Sequence, residues 1–178
     1  MIFKEVSLLK KSIFVKFKIV LLDRKNPTIN FFDFMNKSFT IFYADDDADD
    51  LDFFRDVTTA IDKNIELFTH ENGNQLLVAV RNPPPSPHII FLDLNMPGKD
   101  GFEVLKELKS SEEYKNIPVV IFSTSNDKNN ILRTRELGAN FYITKPNSFA
   151  KFQKSIEHTL SINWEIFKPS LENYIYSY

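Results

Sequence analysis

The sequence predicts a doubly wound α/β fold, a five-stranded parallel sheet with helices on both faces. Short apolar runs alternate with segments whose apolar residues recur at helical spacing, five of each in order. That alternation implies crossover connections, and crossovers imply parallel strands. Acidic residues then fall where apolar runs stop: Asp45, Asp46 and Asp47 after the first run, Asp93 after the third. Open parallel sheets place their ligands at those carboxyl ends of strands.

The elements follow along the chain. Residues 39–44 form an apolar run that ends in three aspartates. Leu51, Phe54, Val57 and Ile61 then recur at helical spacing. Residues 65–68 read as a second strand and 74–80 as a short helix. The run Pro83-Pro84-Pro85-Ser86-Pro87 continues no helix and makes a stiff connection. Residues 88–92 are the third strand, followed by the Met96-Pro97-Gly98 turn and a helix carrying Phe102, Leu105 and Leu108. Residues 117–122 are the fourth strand, and Ile131, Leu132 and Leu137 mark the helix after it. Residues 141–144 are the fifth strand, and Phe149, Phe152, Ile156 and Leu160 give the last helix an apolar stripe.

Composition narrows the function. The 178 residues suit one domain with extensions, and 43% hydrophobic content supplies a core. The chain has no cysteine, which removes disulfides, thiolate metal sites and cysteine nucleophiles, and fits the reducing cytoplasm. His70, His88 and His158 lack metal-ligand spacing.

Charge divides unevenly. Residues 1–38 carry eight basic and three acidic side chains, the remainder fourteen basic and twenty-one acidic. The main body has no basic surplus for direct nucleic-acid binding. Lys16 and Lys18 interrupt the N-terminal apolar run, so the sequence predicts no membrane span there and no secretory signal. The N-terminal extension, residues 1–38, stays open to three readings: a basic membrane-surface segment, an added strand or helix, or an artefactual extension with Met35 as the natural start. The folded domain is expected over 39–160. Residues 161–178 carry Trp164, Phe167, Tyr174, Tyr176 and Tyr178 and are expected to form an aromatic tail packed on the body.

Five features in order resemble the receiver domain of two-component response regulators. They are Asp45-Asp46, Asp93, the Met96-Pro97…Gly101 loop, Ser123, and Gly138 to Lys145-Pro146, each after its own strand or leading into the last one. The resemblance covers about 39–160 and implies a flavodoxin-like receiver fold. It makes Asp93 the phosphoacceptor, fed by a histidine kinase or phosphotransfer protein. It implies Mg²⁺ held by Asp46, Asp93 and the Asn95 backbone carbonyl, with Asp45 acting through water. The physical reason is that three clustered carboxylates repel one another and an incoming phosphoryl group unless a cation neutralises them. It also implies that Lys145 and Ser123 contact the phosphoryl oxygens, that Tyr142 is the switch aromatic, and that the Lys145–Pro146 bond is cis. Asp47, Asp49 and Asp50 read as capping or surface residues.

The resemblance implies a stand-alone signalling switch without enzyme activity, acting on a protein effector. Two alternatives stand beside it. A phosphorylation-independent interaction module would lack some of the acidic residues, and here they are present. An aspartyl-phosphate phosphatase needs a second acid two residues after its nucleophile, where this chain has Asn95.

Overall fold

β1 (Phe39–Ala44) is an interior strand, paired in parallel with β2 (Ile65–His70) on one side and β3 (Ile89–Leu92) on the other. β4 (Val119–Ser123) joins β3, and β5 (Phe141–Thr144) joins β4, also in parallel. The strand order is β2-β1-β3-β4-β5. Among the described residues, five helices connect or follow the strands: α1 (Ala48–Ile61), α2 (Gly73–Arg81), α3 (Gly101–Ser110), α4 (Lys128–Glu136) and α5 (Phe149–Ser161). The structure is a computed structural model that describes residues 39–177. The expectations for residues 1–38, Met35 included, lie outside the described residues.

Alternate strand residues feed two cores, as side chains on a pleated sheet must. Phe42, Ile90, Leu92, Val119, Ile121 and Tyr142 face the layer holding Leu76, Val104 and Leu105 of α2 and α3. Ile41, Tyr43, Phe91, Val120, Phe122 and Ile143 face Leu51, Phe54 and Val57 of α1 and Phe152 and Ile156 of α5. Phe54 anchors the second core, with ring centroids 4.5 Å from Tyr43, 4.8 Å from Phe91 and 6.0 Å from Phe122. Phe54, Phe91, Phe122 and Phe152 pack largely edge to face between sheet and helix.

Polar residues set the helix starts. Asp47, Asn72, Asp100, Asp127 and Ser148 each accept a backbone N–H of the first turn they precede. Asp100 and Glu103 complete a reciprocal capping box at α3. β1 and β5 match the sequence reading, and the edges of the other elements given bounds there differ by at most two residues. β2 continues to His70, whose carbonyl accepts the Asp45 N–H at 3.0 Å. β4 begins only after Pro118, which has no N–H to give a ladder.

Beyond α5 the chain returns to the free side of β5. Tyr142 N–H donates to the Tyr174 carbonyl, and Tyr176 N–H donates to the Tyr142 carbonyl, both at 2.8 Å. The pair forms a parallel bridge between Tyr142 and Ile175. Tyr174 is buried, and its hydroxyl donates to Thr134 Oγ1 of α4 at 2.9 Å. Trp164, Phe167 and Tyr176 surround Phe141 on the opposite face, with centroids 6.3, 6.0 and 6.4 Å away.

Candidate functional site

The carboxyl ends of β1, β3, β4 and β5 meet at one rim, and backbone bonds fix the residues just past each end. Asp93 N–H donates to the Ala44 carbonyl at 2.9 Å, which locks β3's first exit residue beside β1. Lys145 N–H donates to the Ser123 carbonyl at 2.8 Å, which does the same for β5 beside β4. Asp45, Asp93 and Lys145 therefore owe their proximity to strand register rather than to loop conformation.

Side-chain oxygens of Asp45, Asp46 and Asp93 all lie within 4.8 Å of one another. Asp45 and Asp93 are buried, whereas Asp46 is exposed. Lys145 Nζ bonds Asp45 Oδ2 at 2.6 Å and Asp50 Oδ2 at 2.7 Å, and stands 3.5 Å from Asp93 Oδ1. Asp93 Oδ2 accepts the Asn95 N–H at 2.6 Å, which orients the carboxylate. Among these carboxylates Asp45 is the most committed. Its Oδ1 takes the Asp47 N–H at 3.1 Å, and its Oδ2 takes the Tyr43 hydroxyl as well as the lysine.

Burial and charge oppose each other here. Burial alone pulls the Lys145 ammonium down, but the charges of Asp93 and Asp45 and the bonds to Asp45 and Asp50 outweigh it. The net direction is up, and Lys145 stays cationic. Burial pushes the Asp45 carboxyl up, against the pull of Lys145 and Tyr43. The Tyr43 phenol is raised by burial first and by the Asp45 charge second, so it stays a donor.

The donor set suits a hard divalent cation: three carboxylates whose oxygens lie close enough to share one ion. Asp93 Oδ1 carries only the long contact to Lys145, whereas Asp45 has both of its oxygens engaged by short bonds within the protein.

Ser123 ends β4, fully buried, with its Oγ 3.5 Å from the Ser125 N–H. Asn95 is exposed two residues beyond Asp93. Tyr142 is fully buried and its hydroxyl donates to the Ser125 carbonyl. Gly101 permits the loop between them: a Cβ there would lie 2.2 Å from the Asp93 carbonyl oxygen. Only glycine lets α3 start this close to the acidic strand end. Gly98, at φ 78°, turns the loop that carries Met96 and Pro97. A cleft of about 530 Å³ opens over Asp46, lined further by Glu71, Asn72, Asn74, Pro97 and Gly98.

Two corrections follow. Among the described residues the cis bonds are Pro83–Pro84 and Pro84–Pro85, and Lys145–Pro146 is trans. Asp50 does more than cap or face solvent: half-buried, it pairs with Lys145, because the first turn of α1 faces the end of β5. Tyr43, too, carried no polar signal in a run of apolar residues. Its position two before Asp45, on the same face of β1, is the clue that alternation offers.

The family model of the response regulator receiver domain matches residues 41–157. Response regulator Rcp1 of Synechocystis sp. is 41% identical over 73 residues, a stretch covering 41% of this chain and 50% of that protein. The chain thus spans about half the length of that relative in the match. The polar-differentiation response regulator DivK of Brucella anthropi is 30% identical over 68% of this chain and 95% of its own. The Mn²⁺-bound form of Rcp1 superposes with a TM-score of 0.63 at 30% identity, over 74% of this chain and 99% of that one. The phosphorylated cyanobacterial phytochrome response regulator RcpA gives 0.64 at 30% identity, over 73% and 96%.

Proposed function

The chain belongs to the response regulator receiver domain family, and on that footing we propose that it takes a phosphoryl group onto Asp93 from the phosphohistidine of a histidine kinase or phosphotransfer protein. The observation that carries the proposal is the meeting of Asp45, Asp46, Asp93 and Lys145 at one strand-end rim.

Asp93 Oδ1 attacks phosphorus in line, the P–N bond breaks as the O–P bond forms, and the imidazole leaves with the electron pair. Mg²⁺ bound by Asp46, Asp93 and the Asn95 carbonyl would neutralise the charge that accumulates on the transferring oxygens. Asp45, with both oxygens engaged, holds Lys145 at the rim. Lys145 is within reach of Oδ1 and offers its ammonium to the oxygens of the group that arrives there. Ser123 supplies a hydroxyl from the adjacent strand end. The added charge of about −1.5 to −2 then biases the loop after β4, and Tyr142 relays that bias to β5 and to a protein effector. The switch works by contacts with proteins, without turnover of a substrate.

Intact-protein mass spectrometry after incubation with acetyl phosphate and Mg²⁺ tests this. One phosphoryl adduct is expected on the native chain and none on Asp93→Asn. Equal labelling of the variant ends the proposal.

A further inference from the structure

We infer that Asp50 is a positioning residue for Lys145, a releasable tether that competes with the acceptor for its ammonium until a phosphoryl group draws it across. The inference rests on the reading of Asp93 as phosphoacceptor.

An ammonium has three N–H donors. Lys145 spends two on short bonds to Asp45 and Asp50, at 2.6 and 2.7 Å, and Asp93 receives only the long 3.5 Å contact. The two short partners are built differently. The Asp45 side chain is 1% exposed and is pinned by Asp47 N–H and the Tyr43 hydroxyl. It has no alternative solvation and keeps the lysine. The Asp50 side chain is 30% exposed on the first turn of α1, so water can take the lysine's place. When a multiply charged group sits on Asp93, the ammonium can rotate to it by giving up Asp50 alone.

Asp50 therefore opposes the bound state by the strength of its own ion pair. A partly exposed pair of this kind corresponds to about two- to fivefold in an equilibrium constant. Asp49 is the internal control: it is the neighbouring aspartate, exposed, of equal charge, and its backbone rather than its side chain serves the helix cap.

The test is beryllofluoride, a phosphoryl mimic, titrated at saturating Mg²⁺ and followed by amide NMR shifts, in native protein, Asp50→Asn, Asp50→Glu and Asp49→Asn. Asp50→Asn should bind two- to fivefold more tightly than Asp49→Asn, and Asp50→Glu should return toward the native affinity. The gap should shrink at high salt. Equal affinities for Asp50→Asn and Asp49→Asn, or no rescue by Asp50→Glu, overturn the tether. If no protein of the four binds the mimic and the native chain takes no label from acetyl phosphate, the phosphoacceptor reading itself has failed.

Discussion

The Tyr142 hydroxyl donates to the Ser125 backbone carbonyl at 2.8 Å, tying the middle of β5 to the loop that follows Ser123. The ring is fully buried, and burial pushes its phenol up to about 12, so the donor survives across the physiological range. The same residue uses its backbone N–H and carbonyl to hold Tyr174 and Tyr176. One tyrosine thus contacts the site loop through its side chain and the C-terminal segment through its main chain.

Replacing Tyr142 with phenylalanine keeps the ring and removes one hydrogen bond. A loss of about 1 kcal/mol in urea unfolding is expected, the usual worth of such a bond. Hydrogen exchange should quicken in residues 125–128 and stay unchanged in β1 and β3. Uniform quickening throughout the sheet would contradict the local role given to this bond.

Tyr174→Ala removes a side chain that is 2% exposed and bonded to Thr134. Truncating a buried aromatic costs about 3–5 kcal/mol when the site cannot collapse. Tyr174→Phe should cost about 1 kcal/mol, the hydroxyl alone. The comparison in urea separates packing from hydrogen bonding, and an alanine variant as stable as the native chain would show that the segment adds nothing to the fold.

His70 sets a pH dependence. Burial lowers its imidazole to about 4, from an unfolded value near 6.5. Among the described residues its Nε2 has no hydrogen-bond partner, and its ring packs edge-on against Phe42, with centroids 5.1 Å apart. Because the folded pKa is depressed, the unfolded chain binds the proton first. Stability from this residue is complete above about pH 6.5 and falls as pH drops toward 4. His70→Leu should flatten that part of the stability–pH curve in chemical denaturation, and an unchanged slope would assign the acid sensitivity elsewhere.

Local chemistry made the five alternating strands and helices and the acidic rim legible in advance. Apolar runs of strand length, helical stripes such as Leu51-Phe54-Val57, and the Asp47 cap of α1 all act within a few residues of themselves. Asp45, Asp93 and Lys145 were readable because each sits just past an identifiable strand, and parallel register brings such positions together. Asp50 was not, because its partner lies 95 residues away and its direction depends on how α1 rotates against β5. The bridge from Ile175 to Tyr142 was equally hidden: a single pairing leaves no periodic pattern in sequence. The trans geometry of Lys145–Pro146 depends on the surrounding fold, whereas a dipeptide carries only a small bias.

That bridge has a consequence for handling the chain. β5 is a sheet margin whose open N–H and carbonyl are covered by residues that come after α5. A copy nicked or clipped between Ser161 and Tyr174 would keep all five strands yet bare this margin, inviting foreign strands to add on. Proteolytic trimming should therefore turn a well-behaved preparation into a self-associating one while leaving the acidic rim intact.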